Sequence, residues 1–300
     1  MAKATKKTEE QPTNTDAPTE TETVKTVPAV VEPKTGTAVA AYDDDMMDLL
    51  EADAGLGQDF ESSDFQIPRL GIVNSLSPQR RSDKPEFIEG CVEGQIFETT
   101  SKRLFDGAKG LSVIPLKYQM VYLEWKPKRG GLFKNHGTDS SAYDALPNVD
   151  GKRITPEGNE IIETAEYYVF VVDKETGASF PAVLSMSKTG VKHAKRWNSM
   201  INQLKTQARD GRLITPPIFF KVYNLKAVPE ANDEGQWFRW EVAFDDTETL
   251  KLPGGKELYL AAKEFHVSLT NGAFKVAEHT ADGVETAAPK TAAEKEADPM

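Results

Sequence analysis

The chain has 300 residues and carries 36 Lys and Arg against 47 Asp and Glu, which gives a formal net charge of -11 at pH 7. Taken over the whole chain, this acidity argues against a nucleic-acid partner, because binding to phosphate needs positive charge. The single cysteine, Cys91, excludes an internal disulfide framework, and the lack of an apolar run of about 18 residues excludes a transmembrane helix.

The two ends of the chain account for the acidity. Residues 1–64 carry a net charge of -10 and residues 277–300 a net charge of -4, which leaves 29 basic and 26 acidic residues between them. Both ends are rich in Thr, Glu, Ala, Pro and Lys, and such segments bury too little apolar surface to offset the entropy of ordering them. We therefore predict disordered acidic tails at 1–64 and 277–300, on either side of one domain at 65–276.

One stretch of the N-terminal tail differs from the rest. Residues 43–51 place Met46, Met47, Leu49 and Leu50 beside acidic side chains. This pattern is typical of a short amphipathic helix or a docking motif for a partner, and equally of a solvated segment. The N-terminus itself lacks the apolar core of a signal peptide, so we expect an intracellular protein.

Composition and alternation predict seven strands in the middle of the chain. They lie at 95–99, 111–116, 118–125, 166–173, 179–186, 218–228 and 236–244. Pro115 predicts a bulge or break between the second and third strands. Residues 173–177 are typical of a hairpin turn and 229–235 of a longer hairpin loop, while 127–164 is predicted to be a long loop or insertion.

Two helices follow from periodicity. In residues 190–210 an apolar stripe recurs at spacings of three and four, made of Ala194, Trp197, Ile201, Leu204 and Ala208. The second helix, 256–269, buries the face formed by Leu258, Ala261, Ala262, Phe265 and Leu269. Strands, a helix, a two-strand hairpin and a helix in this order indicate an α+β fold with a mainly antiparallel sheet. The oligonucleotide-binding (OB) barrel has such an order, so we predict an elaborated OB-like barrel with two helices.

Few residues are available for catalysis or for a metal. The four histidines, His136, His193, His266 and His279, show no paired spacing, and a structural zinc site needs four clustered Cys or His ligands. Neither a phosphate-binding loop nor a dinucleotide-binding glycine pattern nor a nucleophile elbow is present. We therefore predict no catalytic residue, no metal and no cofactor.

One catalytic alternative stays open at this point. Asp106 precedes Glu124-Trp125-Lys126, and an acidic residue followed by Glu-x-Lys is how many metal-dependent nucleases hold a divalent ion and orient water. Alternation along a strand would put Glu124 and Lys126 on one face. Glu-x-Lys also arises by chance in a chain with 28% charged residues, and the other interpretation is a surface strand end.

Basic residues interleaved with aromatic residues are the positive signal. Proteins that bind single strands combine a cationic groove with aromatic rings on which bases stack. The pattern occurs between Lys117 and Lys134, on the basic side of the first helix and on one face of the last hairpin. The alternative for that hairpin is that both of its faces are buried. The candidate nucleic-acid-binding residues are Lys117, Tyr122, Trp125, Lys126, Lys128, Arg129, Phe133, Lys134, Lys188, Lys192, Lys195, Phe219, Lys221, Tyr223, Trp237 and Arg239.

Several motifs resemble those of a family of tailed-bacteriophage proteins that we associate with single-stranded DNA binding. They lie, in this order, at 67–79, 87–97, 124–127, 130–133 and 196–199. The resemblance covers about 65–275 and implies a phage replication or recombination protein in the host cytoplasm. Single-strand binders of phages and bacteria typically carry an acidic C-terminal tail that contacts replication partners. Residues 293–300 are only mildly acidic, so the stronger candidate for such docking is the acidic segment at 43–48.

The sequence thus predicts a non-enzymatic protein that binds and protects single-stranded DNA without sequence preference. Lysines and arginines would neutralise phosphates, and the acidic ends would compete for the cationic groove or dock phage replication or recombination proteins. A homo-oligomer fits this prediction, and a membrane partner does not. The alternatives are a metal-dependent nuclease that uses Asp106, Glu124 and Lys126, and a structural or scaffolding phage protein with no nucleic-acid role.

Overall fold

The structure is a computed structural model that describes residues 43–59, 64–232, 235–272 and 275–276. The described helices are α1 (Asp44–Ala52), α2 (Ser141–Asp144), α3 (Val191–Gln203) and α4 (Gly255–Thr270). The described strands are β1 (Gln66–Ile67), β2 (Arg69–Ile72), β3 (Ile96–Glu98), β4 (Leu104–Phe105), β5 (Leu111–Trp125), β6 (Leu132–Asn135), β7 (Glu160–Val172), β8 (Ser179–Ser187), β9 (Thr206–Gln207), β10 (Leu213–Ile214), β11 (Lys221–Asn232), β12 (Gly235–Glu248) and β13 (Lys275–Val276).

Nine strands form one sheet. Its order is β12-β11-β5-β7-β8-β2-β3-β4, with β6 paired to β5. Every pairing in it is antiparallel except that of β2 with β8, and the sheet curls into a half barrel. The predicted α+β class with a mainly antiparallel sheet is confirmed.

Helix α3 covers one face of the curled sheet. Trp197 of α3 is fully buried, and its ring stacks on that of Tyr167 of β7 at 4.1 Å between centroids. The Tyr167 hydroxyl donates to the carbonyl oxygen of Ala194, 2.8 Å away. The apolar stripe predicted for this helix therefore faces the core at Ala194, Trp197 and Ile201.

Helix α4 covers the opposite face. Leu258, Ala262 and Leu269 are buried against a cluster that includes Tyr168 of β7. Two hydrogen bonds fix the last turns of the helix to β5: Lys117 Nζ donates to the Leu269 carbonyl oxygen at 3.0 Å, and His266 Nδ1 donates to the Leu116 carbonyl oxygen at 2.6 Å. The sheet is thus covered on both sides, which leaves little of its surface for ligands.

Three predicted strand boundaries need correction. Residues 111–125 form one continuous strand, and the predicted irregularity is a register shift between Pro115 and Lys117. Residues 218–220 form a 3₁₀ turn, so β11 begins only at Lys221. The predicted loop at 229–235 is mostly strand, since β11 reaches Asn232. Pro229 fits there because β11 pairs with β5 only at 223–225, which leaves its missing N–H on an unpaired edge.

The predicted insertion at 127–164 holds more regular structure than its composition indicates. It contains β6, α2 and the start of β7, whose Glu160 pairs with Trp125. The first predicted helix is too long by seven residues: α3 ends at Gln203, and Ala208 belongs to a hairpin in which β9 pairs with β10. An Asp210-Gly211 turn favours that hairpin, with Gly211 at φ 84°. Ala261, predicted to be buried, is exposed on α4.

The described residues contain four helices, two more than predicted. One of them, α1, lies within the tail predicted to be disordered at 1–64, at the stretch for which a short amphipathic helix was an alternative. Residues 1–42 and 277–300 lie outside the described residues, and the prediction for them stays untested. In the described part of the chain, no helix is long and apolar enough to cross a membrane.

The connectivity keeps some features of the predicted OB barrel. Strands β5, β7 and β8 are followed by α3 and then by the β11–β12 hairpin, and β11 returns to pair with β5. On the side away from β7, β8 pairs in parallel with β2 rather than with β12. The OB identity of this half barrel therefore stays a prediction.

Candidate nucleic-acid interface

A hairpin built from β5 and β6 projects from one end of the sheet. The Lys126 amide donates to the Gly131 carbonyl oxygen at 3.0 Å, and the Gly130 amide donates to Pro127 at 3.1 Å. Lys128 takes a left-handed backbone conformation, with φ 54°, which a residue with a Cβ adopts at a cost of about 1 kcal/mol. We call residues 126–134 the cationic hairpin.

Phe133 is exposed because of a bulge in this hairpin. Leu132 lies opposite Trp125 and Lys134 lies opposite Glu124, so Phe133 is an extra residue with no counterpart on β5. A bulge of this kind re-aims a side chain. The Leu132 side chain packs on the cluster around Trp125, whereas Phe133 is 56% exposed.

The hairpin that carries Phe133 is rich in positive charge. Lys126, Lys128 and Lys134 are exposed, and none of the three forms an ion pair within the described part of the chain. Arg129 adds a fourth formal positive charge to the same turn. The combination of an exposed aromatic ring with unpaired cations is the one predicted for this segment.

A buried carboxylate anchors the base of the hairpin. Glu124 is 6% exposed, and its Oε1 accepts a hydrogen bond from Asn159 Nδ2 at 2.8 Å, while its Oε2 lies 2.9 Å from His136 Nε2. Burial opposes ionisation of this carboxyl, but the hydrogen bonds from Asn159 and His136 outweigh it and hold the Glu124 pKa below its usual range. The ionised carboxylate of Glu124 on β5 therefore holds His136, which follows β6, and Asn159, which precedes β7.

The nuclease alternative loses its site. Asp106 lies before the start of β5, where its Oδ1 accepts hydrogen bonds from the amides of Ala108 and Lys109 at 2.9 and 3.1 Å. Glu124 lies at the other end of the strand, about 40 Å away along it at about 3.3 Å per residue. No group of three or more His, Cys, Asp or Glu side chains among the described residues is placed to hold a metal ion. The set of Asp106, Glu124 and Lys126 is not assembled.

Four of the predicted stacking residues belong to the core. Trp125, Phe219, Tyr223 and Trp237 are at most 7% exposed. A ring that stacks on a base must present a face to solvent, so the prediction of exposed platforms at these four positions is corrected. The reason is that both faces of the sheet are covered: Tyr223, for example, packs edge-on against Trp197 of α3 at 5.5 Å.

Most predicted cations outside the hairpin are already paired. Lys192 Nζ lies 2.9 Å from Glu230 Oε1, and Arg239 Nε lies 3.3 Å from Glu230 Oε2. Lys117 is bound to the end of α4, as described above. Lys221 is half-buried. Lys117, Lys192 and Arg239 therefore have structural partners that would compete with phosphate.

Two predicted lysines remain compatible with the cationic hairpin. Lys188 Nζ is 3.4 Å from Glu160 Oε2, and Glu160 pairs with Trp125 at the end of β5 where the hairpin begins. This ion pair therefore brings Lys188 to the same end of the sheet. Lys195 is exposed on α3 and forms no ion pair with a described residue.

The match to a protein family agrees with the phage origin predicted from the motifs. The model of the Pam3 phage gp34-like protein family matches residues 34–275, which include α1, the cationic hairpin and both sheet-covering helices. The chain belongs to the Pam3 phage gp34-like family. No curated protein and no solved structure matches it. Family membership confirms the resemblance to phage proteins, and it says nothing of single-stranded DNA binding.

Sequence reasoning missed a second aromatic group beside the hairpin in this gp34-like chain. Tyr143 of α2 lies 5.1 Å from the ring of Tyr122 on β5, and the Arg153 guanidinium lies 4.3 Å over the Tyr143 ring. Both tyrosines are half-buried, and burial raises their pKa. Tyr143 and Arg153 fell in the predicted loop, and the only available signal was an aromatic residue in a segment of otherwise small and polar residues.

Proposed function

We propose that the chain binds single-stranded DNA without sequence preference, as a replication or recombination protein in the cytoplasm of the phage's host. One observation carries the proposal: the bulge on β6 exposes Phe133 between lysines that have no acidic partner in the described structure. The part of an aromatic ring that is exposed to solvent does not contribute to packing of the core. A nucleic-acid base can stack on such a ring, and neighbouring lysines can bind the phosphates beside that base.

The chemistry of the hairpin fits a single strand better than a duplex. Lysines neutralise backbone phosphates, and a stacked base contributes about 1–3 kcal/mol per ring whatever its sequence. Stacking needs an unpaired base whose face is free, which a duplex does not offer. Stacking tolerates any base, so we expect weak sequence preference.

The position of the hairpin in the fold supports the same function. It leaves the sheet between β5 and β7, the first two long strands of the half barrel. In OB barrels the connection between the first two strands contacts oligonucleotides. Arg153, Tyr143 and Tyr122 lie in or next to the same connection and would extend the surface available to a strand.

A titration of fluorescently labelled oligo-dT tests the proposal. At about 50 mM salt the protein should bind, and affinity should fall with a log-log salt slope of about -2 to -3, since about four cations contact phosphates at about -0.7 each. Phe133→Ala should weaken binding, while Phe244→Ala, which removes another half-exposed ring on β12, should not. If the protein does not bind oligo-dT, a structural or scaffolding role is the alternative that remains.

A further inference from the structure

The first half of α3 presents a cluster of positive charge. Residues 176–209, which include this helix, contain six Lys and Arg and no Asp or Glu, in a chain that has 47 acidic residues. Lys195 and Arg196 lie three and four positions after Lys192, so their side chains are its neighbours on the helix surface. All three are exposed, and neither Lys195 nor Arg196 forms an ion pair with a described residue. This side of α3 can therefore attract anions.

One acidic side chain of the β11–β12 hairpin lies against this cluster. Glu230 Oε1 is 2.9 Å from Lys192 Nζ, and Glu230 Oε2 is 3.3 Å from Arg239 Nε. A single carboxylate on β11 thus bridges a cation of α3 and a cation of β12. Lysine and arginine bind phosphate with the same charge-assisted hydrogen bonds that they make to a carboxylate. The position of the Glu230 carboxylate is therefore also one that a phosphate suits.

This carboxylate does not satisfy all the polar groups around it. Glu230 Oε2, Arg239 Nε and His193 Nε2 are buried and make no hydrogen bond within the described part of the chain. Burial lowers the pKa of His193, and the charges of Arg239 and Lys192 lower it further. The charge of Glu230 acts in the opposite direction, with a smaller effect than either cation. Positive charge therefore outweighs the one carboxylate at this junction.

We infer that Glu230 takes the place of a backbone phosphate in a second surface that binds the single strand. This surface consists of the basic residues Lys192, Lys195, Arg196 and Arg239. Lys188 connects it to the cationic hairpin, because Lys188 lies at the end of the sheet where that hairpin begins and four residues before Lys192. The inference rests on the proposed function. It adds a competitor within the chain, since the strand must displace Glu230 to reach two of the four cations.

Anisotropy titrations of E230Q test this inference with an oligo-dT of about 16 nucleotides, the upper limit of the site sizes of OB domains. E230Q should bind about twofold to fivefold more tightly than the wild type, since the strand no longer has to break surface ion pairs. A purely structural ion pair predicts instead a less stable protein with unchanged affinity. E248Q is the matched control and should bind like the wild type. Glu248 also pairs with a lysine, Lys251 at 3.3 Å, but at the opposite end of the β11–β12 hairpin.

A double variant tests the exposed cations of the same surface. K195A/R196A should lower the salt slope of binding to the same oligonucleotide by about 1.4, which is two contacts at about 0.7 each. K256A/K263A removes two exposed lysines of α4, on the opposite face of the sheet, and should leave the slope unchanged.

The outcomes separate this inference from the proposed function. If the wild type binds, an unchanged affinity of E230Q, an equal gain for E248Q or an unchanged slope for K195A/R196A would each overturn the inference and leave the proposed function intact. Failure of the wild type to bind would contradict the proposed function itself, and this inference with it.

Discussion

His136 Nε2 lies 2.9 Å from Glu124 Oε2, and this contact links β6 to β5 at the base of the cationic hairpin. Asn159 holds the other oxygen of the same carboxylate from the start of β7. One buried carboxylate thus fixes three segments that are far apart in the sequence. The orientation of the hairpin relative to the sheet depends on this carboxylate remaining ionised.

Replacing Glu124 should loosen the hairpin and alter the pH dependence of stability. Glu124→Gln keeps the shape, and its Oε1 can still accept from Asn159, but an uncharged NH2 group replaces the carboxylate oxygen that faces His136, and we expect a loss of about 1–3 kcal/mol. Because the Glu124 pKa is lowered in the folded state, its contribution is full above the unfolded pKa and is lost as pH falls through the folded one. Urea unfolding between pH 7 and pH 3 measures this.

The difference in stability between wild type and Glu124→Gln should therefore shrink as the pH falls below the ordinary pKa of a glutamate side chain, about 4.3. A difference that stays constant over this range would show that the carboxylate is not preferentially ionised in the folded protein.

Trp125 and Phe133 should respond to truncation in opposite ways. Trp125→Ala empties a site in the cluster with Val121, Leu123 and Ile162, and it should cost about 3–5 kcal/mol of stability. Phe133→Ala should leave the melting temperature unchanged and weaken oligo-dT binding by about 1–3 kcal/mol. Thermal melts and anisotropy titrations of both variants are the check, and equal losses of affinity without unfolding would contradict the burial of Trp125.

Lys128→Gly removes one charge without straining the backbone. Glycine adopts φ 54° freely, so folding stability should be unchanged or slightly higher, while the salt slope of binding should fall by about 0.7. Lys102→Gly is the control for the salt slope, since Lys102 is also an exposed lysine with φ 55° but lies on the β3–β4 turn. Its Nζ donates to the carbonyl oxygens of Pro85 and Phe87, so the folding stabilities of the two variants are not compared. An equal effect of the two substitutions would place phosphate contacts elsewhere.

Lys117 should matter for folding rather than for DNA. Lys117→Met removes the hydrogen bond to the Leu269 carbonyl oxygen at the end of α4, where positive charge also favours the helix dipole, and should cost about 1 kcal/mol. Its affinity for oligo-dT should match the wild type once the protein is folded. A weakened affinity at unchanged stability would return Lys117 to the binding surface.

The local hydrophobic pattern of the sequence was sufficient to predict the elements that pack on one side only. The stripe of Leu258, Ala262, Phe265 and Leu269 predicted α4 within one residue at each end, because 3.6-residue periodicity depends on the helix alone. The start of β7 at Glu160 was missed, since its pairing with Trp125 crosses the whole insertion. Long-range pairing of that kind leaves no periodic signal in a segment rich in Gly, Asn and Asp.

Some candidate binding residues were predicted correctly to be exposed and others were not, for a related reason. Alternation predicts which side chains share a face within one strand, but not the register between two strands. In the last hairpin Tyr223 lies opposite Phe244 and Trp237 lies opposite Glu230, so Tyr223 and Trp237 lie on opposite faces rather than on the predicted shared one. Both are buried, which was the alternative for this hairpin. The exposure of Phe133 depends on the register of β6 against β5, which only the ladder of hydrogen bonds determines. The exposed lysines of the cationic hairpin were easier to predict, since unpaired lysines in a Gly- and Pro-containing turn are exposed in almost any fold.

Salt-dependent binding of a short oligo-dT measures the central proposal most directly. Anisotropy titrations of wild type and Lys128→Gly, at several salt concentrations from about 50 mM upwards, should give a wild-type slope of about -2 to -3 and a variant slope smaller by about 0.7. No binding at the lowest salt, or an affinity that does not change with salt, would contradict the assignment of the cationic hairpin to single-stranded DNA.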